Sequence, residues 1–244
     1  MKYVVIDLEF NQPYDFKEGA ATTLVSECRF EIIQIGAVIM DSDFNILDSR
    51  SFLVKPQIYT RIHPIVEKMT GLTSEKLKFE KSFPEIYDDF IEYINEEYVF
   101  CVWGASDIKI LHRNINYYNL DDTKLTKSYL NVQQIASLHL KRPMGVAIGL
   151  RHAVESFNIE MDNYFHNALY DAIYTAKILK KLRNDNFQIL TFELNPLKKM
   201  PIYKTDVQYL YSIIEKDLGR KLNKKEKVIF KKVYEMGISR KCEF

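Results

Sequence analysis

The chain has 244 residues, of which 47% are hydrophobic, and its formal net charge at pH 7 is +1. These values exclude a disordered or fibrous protein and indicate one large globular domain, or one domain with a small addition. The three cysteines form no CxxC pair, which argues against a disulfide framework and a zinc–cysteine site. Because the sequence also shows no signal-peptide or membrane-spanning pattern, we expect a cytoplasmic protein with no membrane partner.

Charge is distributed unevenly along the chain. Residues 186–244 contain 13 Lys and Arg against 7 Asp and Glu, a net of +6, which leaves residues 1–185 with a net of −5. We therefore predict two parts, an acidic body over 1–185 and a basic extension over 186–244. A basic surface attracts phosphates, although a solvated helical face would have the same composition.

The predicted elements of the body begin with strands and continue as alternating strands and helices. The first three strands form an antiparallel meander, separated after the first strand by a long polar loop over 11–29. Helices then alternate with two further strands, so the fold class is α/β, a mixed five-stranded sheet flanked by helices. The predicted strands are 2–10, 30–40, 46–55, 98–103 and 129–132, and the main helices begin near residues 82, 107, 133, 148 and 168.

The basic extension shows the pattern of two further helices. Thr205 to Gln208 and Asn223 to Glu226 both resemble capping boxes, and apolar residues follow each of them at helical spacing. Gly219 and Gly237 are placed to end the two helices. The sequence therefore predicts a C-terminal helical hairpin.

Two acidic residues stand at the end of the first predicted strand. Asp7 and Glu9 are two positions apart, so their side chains point to the same face of the sheet. Two neighbouring carboxylates at the end of an apolar strand repel each other unless a cation neutralises them, and oxygen ligands suit Mg²⁺ or Mn²⁺. Most such pairs are nevertheless solvated strand ends.

Three more residues with suitable chemistry follow later in the chain. Asp107 opens a helix directly after the fourth strand, where a carboxylate also stabilises the helix dipole. Asp171 lies inside the helix that begins after Asn167, among partly apolar neighbours, and a carboxylate facing a core needs a partner. His166 precedes this helix on a loop, where a histidine is usually an ordinary surface residue.

Taken together, these motifs resemble the DEDDh 3′→5′ exonucleases of the RNase H-like superfamily over residues 1–183. Asp7 and Glu9 in VVIDLEF resemble the first family motif, and Asp107 in VWGASDIKIL resembles the second. His166 and Asp171 in HNALYDAIYTAKIL resemble the third, with the H-x4-D spacing of the histidine subtype. The segments EIIQIGAVIMD, TGLT and GLRHAVESFNI are also similar to this family, and the form of the first motif is similar to the Eri-like and KapD-like branch.

The resemblance implies a two-metal phosphodiesterase acting on 3′ ends of single-stranded RNA or DNA. Asp7, Glu9, Asp107 and Asp171 would hold two Mg²⁺ or Mn²⁺ ions, and His166 would deprotonate the attacking water. The terminal nucleotide would lie against Leu8 and Phe10, and 5′-mononucleotides would be released. The branch resemblance favours RNA over DNA as the substrate.

Two alternative functions stay open at this point. The same fold could be a nucleic-acid-binding or scaffold module with little catalysis, although all five catalytic positions are filled. It could also be a structure-selective endonuclease. The remaining histidines (His63, His112, His139 and His152) are interpreted as structural or surface residues.

Overall fold

The computed structural model describes residues 2–14, 24–94, 97–143, 146–161, 165–183 and 187–193, together with 211, 215, 220–223, 225–228 and 230. The chain divides into two compact units, Met1–Leu194 and Asn195–Phe244. The first unit contains the acidic body and all of the predicted site residues. No helix in the described ranges is long and apolar enough to cross a bilayer.

The first unit is built on a mixed sheet whose strand order is β3-β2-β1-β4-β5-β6. The first three strands are antiparallel, and β4 and β5 run parallel to β1. All five predicted strands are confirmed, and a two-residue sixth strand, which the sequence did not predict, pairs with β5. The strands are β1 Lys2–Asn11, β2 Glu31–Met40, β3 Ile46–Leu53, β4 Tyr98–Val102, β5 Ser128–Asn131 and β6 Leu190–Thr191.

Helices cover both faces of this sheet, which confirms the predicted fold class. On one face, α3 and α4 pack on Ile6 and Leu8 of β1. On the other face, α5, α6 and α7 pack on Val5 of β1 and Cys101 of β4. The helices are α1 Pro64–Thr70, α2 Ser74–Leu77, α3 Phe83–Tyr93, α4 Ser106–Tyr117, α5 Val132–His139, α6 Leu150–Ser156 and α7 Ala168–Lys181, with a 3₁₀ turn at Ser26–Cys28.

The helix starts follow signals that the sequence contains. Ser82 and Glu85 form a capping box before α3, and Asn167 accepts hydrogen bonds from two backbone N–H groups at the start of α7. Helix α6 begins two residues later than predicted, because Gly149 is extended and Ile148 donates its N–H to the Ser137 hydroxyl. Such side-chain hydrogen bonds compete with helix formation.

The loop after β1 is anchored at its described ends by buried polar side chains. The carboxylate of Glu31 accepts hydrogen bonds from the backbone N–H groups of residues 57–59. The Asn11 amide donates to the carbonyls of Tyr59 and Arg61 and accepts from the N–H of His63. These bonds hold the segment 57–63 against the end of β1, beside the first acidic motif. The predicted loop residues 15–23 lie outside the described part of the chain.

The second unit is described at only a few positions. Asn223 Oδ1 accepts from the N–H of Glu226, and Glu226 Oε2 accepts from the N–H of Asn223, so this predicted capping box is confirmed. The Tyr211 hydroxyl donates to the carbonyl of Lys227. The predicted capping box at Thr205 to Gln208, Gly219 and Gly237 lie outside the described residues, and the helical hairpin as a whole stays a prediction.

A close backbone contact between the sheet and a helix lies at Gly36 on β2. A Cβ atom built on Gly36 would overlap the carbonyl of Ala168 and the nitrogen of Leu169 in the first turn of α7. Gly36 also pairs with Asp7 across β1 and β2. A residue without a side chain is therefore required here if α7 is to reach the sheet beside Asp7.

We predict that Gly36→Ala destabilises the protein by about 1–3 kcal/mol, the usual range for an overpacked core. It should also reduce nuclease activity, because the start of α7 carries Asp171 and must move away from Asp7. Urea unfolding and activity assays on the folded fraction test both effects. The matched control is Gly149→Ala, whose added Cβ would meet only His152 Nδ1, at 3.8 Å. Equal losses of stability and activity in the two variants would contradict the prediction.

Candidate active site

The strand β1 places Asp7 and Glu9 on one face of the sheet. Their cross-strand partners are Gly36 and Gln34, with no register shift between them, so the two carboxylates point to the same side as predicted. A register shift follows immediately, between Glu9 and Phe10. Irregularities of this kind end regular pairing and redirect side chains beside functional sites.

The start of α4 brings Asp107 to the same edge of the sheet. The strand β4 runs parallel to β1, so the carboxyl ends of both strands meet there. Asp107 is buried, and the backbone N–H of Leu8 donates a hydrogen bond to its carboxylate. Asp107 thus lies beside the backbone that links Asp7 and Glu9.

The third motif is arranged by the first turn of α7. Asp171 is buried on this helix, and its Oδ2 accepts a hydrogen bond of 3.1 Å from the backbone N–H of His166. His166 has a left-handed backbone, with φ of 63°, which histidine adopts more readily than most residues. Its imidazole is exposed, so the turn directs the N–H inward and leaves the ring accessible.

Gln34 on β2 fixes the start of α7 against the sheet. Its Oε1 accepts the N–H of Ala168 at 3.2 Å, and its Nε2 donates to the hydroxyl of Ser51 at 3.0 Å. Gln34 is buried, and it therefore satisfies an N–H group of the first turn that the helix itself cannot pair. With Gly36, it determines how closely Asp171 approaches Asp7 and Glu9.

Burial raises the pKa of every carboxyl group in this cluster, and repulsion between carboxylates adds to the rise at Asp7, Glu9 and Asp107. Burial has the largest effect in each case, and the pKa of Asp7 rises well above its usual range because Asp107, Asp171 and Glu9 add negative charge nearby. The pKa of Glu9 rises to about 8, that of Asp107 to about 7 and that of Asp171 to about 6. Without a cation, these groups would hold protons that ordinary carboxylates lose.

The donor set fits a divalent metal ion. One ligand atom each from Glu9, His166 and Asp171 lie within 4.8 Å of one another. Asp171 Oδ1 is buried and accepts no hydrogen bond from any described residue, which is costly unless a cation binds it. Carboxylate oxygens of this kind suit hard cations such as Mg²⁺ and Mn²⁺.

The structure thus brings together all five residues that the sequence motifs indicated. Leu8 is buried in the core, so only its backbone is available to a substrate at this edge. Phe10 is partly buried and packs against Phe30 with ring centroids 4.9 Å apart, so much of its ring is covered by the core. Substrate contact by these two residues stays a prediction.

Two of the other histidines have the structural surroundings that the sequence indicated. His63 is buried, and its Nδ1 accepts the N–H of Ile65 at the start of α1. His112 is buried and stacks on Phe192.

Sequence reasoning missed the roles of Gln34 and Gly36, although the segment EIIQIGAV, which contains both, was singled out. The available signal was a glutamine and a glycine within the otherwise apolar run from Ile32 to Met40 of a predicted strand.

Comparison with known proteins connects this geometry to one enzyme family. Residues 4–179 match the family model described as RNase_T exonuclease. The chain is 28% identical to DNA polymerase III subunit epsilon of Aquifex aeolicus over 183 residues, covering 74% of this chain and 79% of that protein.

Solved structures share the same fold. The nuclease domain of 3′hExo, a DEDDh family member bound to rAMP, is similar with a TM-score of 0.65 and 19% identity, covering 79% of this chain and 96% of that one. The E. coli ExoI–ssDNA complex is similar with a TM-score of 0.58 and 17% identity, covering 76% of this chain and 41% of that one.

The raised carboxyl pKa values predict an unusual pH dependence for the metal-free protein. Between about pH 4 and pH 8 the folded site holds protons that the unfolded carboxylates have released, so stability should fall as pH rises through this window. Saturating Mg²⁺ or Mn²⁺ should remove the loss, because bound cations replace the protons. Thermal unfolding in EDTA and in metal, at pH 5 and pH 8, measures both trends.

The control for this prediction is a pair of charge-removing variants. Asp171→Asn should make the metal-free stability less dependent on pH, since one group with a raised pKa is lost. Asp43→Asn, an exposed position in the turn after β2, should leave the dependence unchanged. A metal-free stability that rises from pH 5 to pH 8 would contradict the arrangement of carboxyl groups.

Proposed function

Because the chain belongs to the exonuclease family, we propose that it removes nucleotides from the 3′ end of a single strand by a two-metal mechanism. The observation that carries this proposal is the convergence of four carboxylates and His166 at one edge of the sheet, with a buried Asp171 oxygen left without a hydrogen bond. The products would be 5′-mononucleotides.

Bound metal would supply the Lewis acidity and charge neutralisation for in-line displacement at phosphorus. We assign Asp7 to both metal positions, because burial and the charges of the other three carboxylates all raise its pKa. Glu9 and Asp171 would complete one position, and Asp107 would support the other through water. The raised pKa values support this assignment, because a bound cation would stabilise the charged form of each carboxylate.

His166 is proposed as the general base for the attacking water. Its ring is exposed beside Glu9 and Asp171, while its backbone N–H is held by Asp171, so the imidazole can accept a proton and release it to solvent. The alternative role is metal ligation, because a ring nitrogen also lies within the same 4.8 Å group. The two roles differ in their effect on metal affinity.

The proposed substrate is single-stranded nucleic acid, with RNA preferred over DNA. Similar folds with RNA ligands support this choice: the 3′hExo nuclease domain bound to rAMP has a TM-score of 0.65 to this chain, and a 3′-exonuclease that recognises a histone mRNA stem-loop has one of 0.64. The ExoI–ssDNA complex, with a TM-score of 0.58, shows that the same fold also takes DNA. The terminal nucleotide would lie against the backbone of Leu8, beside Phe10. Specificity for the sugar would depend on contacts to the 2′-hydroxyl.

The basic extension after residue 185 is proposed to assist binding of longer strands. Its cations include Lys221, Lys224, Lys225 and Lys227. Some of this charge is neutralised locally, since Glu215 pairs with Lys221 and Lys227, and Glu226 pairs with Arg220. The charge available to phosphates is therefore smaller than the sequence count indicates.

Digestion of 5′-labelled RNA and DNA of equal sequence tests the reaction and its polarity. We expect a ladder shortening from the 3′ end with Mg²⁺ or Mn²⁺, none with EDTA, and faster loss of RNA. A 3′-terminal phosphate should block degradation, because the site must receive a free 3′ end. Internal fragments from a circular single strand would identify an endonuclease, and binding without metal-dependent release would identify a binding module.

His166→Ala should lower the rate by about 10²–10⁴-fold, the usual contribution of a general base. Because the base does not hold the metals, metal affinity measured by calorimetry should be nearly unchanged. His152→Ala, on α6, is the matched control and should keep full activity. A collapse of metal affinity with recovery of the rate at saturating metal would instead make His166 a ligand.

A further inference from the structure

A column of stacked side chains runs from the candidate active site along one flank of α7. The Arg151 guanidinium lies 4.1 Å from the ring centroid of Phe165, the residue before His166. Phe165 stacks on Tyr174 with centroids 4.9 Å apart, and Lys177 Nζ lies 5.7 Å from the Tyr174 ring. The column therefore begins and ends with a cation.

A basic hollow continues this flank at the end of α7. It has a volume of about 570 Å³ and is lined by Ile159, Glu160, Lys177, Lys180, Lys181 and Arg183. Four of its six lining residues are cationic and one is acidic. Lys177 belongs both to the hollow and to the stacked column, so the two features are continuous.

Acidic residues lie near these cations, with Glu160 in the hollow itself, but they form few direct ion pairs with them. Lys180 donates to the side-chain carbonyl of Asn45 and lies near Asp41. Across the described ranges of the first unit, no carboxylate forms an ion pair with Arg151, Lys177, Lys181 or Arg183. The acidic body of the protein thus carries a cationic strip, formed by Arg151, Lys177, Lys181 and Arg183, whose charges are not taken up by direct ion pairs among the described residues.

The strip starts beside the metal-binding carboxylates. Arg151 stacks on Phe165, which directly precedes His166, so the guanidinium lies next to the turn that carries the candidate general base. Along α7, Lys177 is six residues beyond Asp171 and Lys181 ten residues beyond, which correspond to about 9 Å and 15 Å of helix. A strand that leaves the site along this flank would therefore meet successive cations.

We propose that Arg151, Lys177, Lys181 and Arg183 form a phosphate-binding track for the part of the nucleic-acid strand upstream of the scissile bond. This inference rests on the proposed function, because it needs a strand whose 3′ end is in the metal site. Arg151 presents a planar fork suited to phosphate oxygens, and its stacking on Phe165 holds that fork in place. The lysines add point charges farther along the strand.

A purely structural role is the competing explanation for the cations at the end of α7. Lys and Arg in a last helical turn stabilise the helix dipole. That explanation does not extend to Arg151, which lies at the start of α6, nor to Lys177, which is a full turn before the end of α7. The two explanations differ in whether removing charge changes binding or only stability.

The test uses the full chain with Lys177 and Lys181 both changed to Gln, which removes charge and keeps most of each apolar stem. Binding of a fluorescent 20-nucleotide strand is measured in Ca²⁺ at several salt concentrations, beside hydrolysis of a dinucleotide in Mg²⁺. We expect the slope of log affinity against log salt to decrease in magnitude by about 1.4, about 0.7 for each lost contact. Dinucleotide hydrolysis should match that of the unmodified chain.

Matched controls separate the possible outcomes. Lys124→Gln with Lys127→Gln removes the same charge beside Leu125, which packs on the opposite face of the sheet, and should leave the slope unchanged. Arg151→Lys keeps the charge but loses the fork, and should weaken binding of the long strand less than Arg151→Gln does. An unchanged slope in the folded Lys177/Lys181 variant would overturn the track. Failure of the unmodified chain to hydrolyse either substrate would instead reject the proposed function.

Discussion

The candidate site depends on one close contact between backbones, where the first turn of α7 meets β2 at Gly36. Two neighbouring residues make this contact possible, because Gly36 leaves the space and Gln34 caps the N–H of Ala168. Asp171 follows within one helical turn and is thereby held opposite Asp7 and Glu9. Packed backbones do not deform gradually, so the geometry of the site is determined by the core rather than by the acidic side chains themselves.

This rigidity is needed because the site is electrostatically unfavourable without a cation. Four carboxyl groups have raised pKa values, and burial is the main cause in each. The protein offsets this cost elsewhere, through two cores that cover both faces of the sheet. The same repulsion that lowers metal-free stability favours metal binding, since a divalent cation relieves it at several groups together.

The family and the fold class were predictable from sequence, and both are confirmed, because motif spacing and hydrophobic periodicity are local signals. The face shared by Asp7 and Glu9 followed from strand periodicity alone. The strand Leu190–Thr191 was not predictable, since two residues carry no periodicity and its pairing depends on β5. Gln34 was not recognised as a cap, because its partner Ala168 lies 134 residues away and only the folded sheet brings the two together.

The fold also separates negative from positive charge within the first unit. The sheet edge collects carboxylates, whereas the flank of α7 collects cations, and the helix connects the two regions over about 15 Å between Asp171 and Lys181. A net charge of −5 over residues 1–185 would by itself repel a nucleic acid. The local electrostatic potential, rather than the net charge, determines where a nucleic acid can approach, because exposed charges farther apart than about 8–10 Å are largely screened at physiological salt. A strand approaching along α7 would therefore meet mainly cations before its end reaches the candidate metal site. The direction of approach would then be determined by the helix that also carries Asp171.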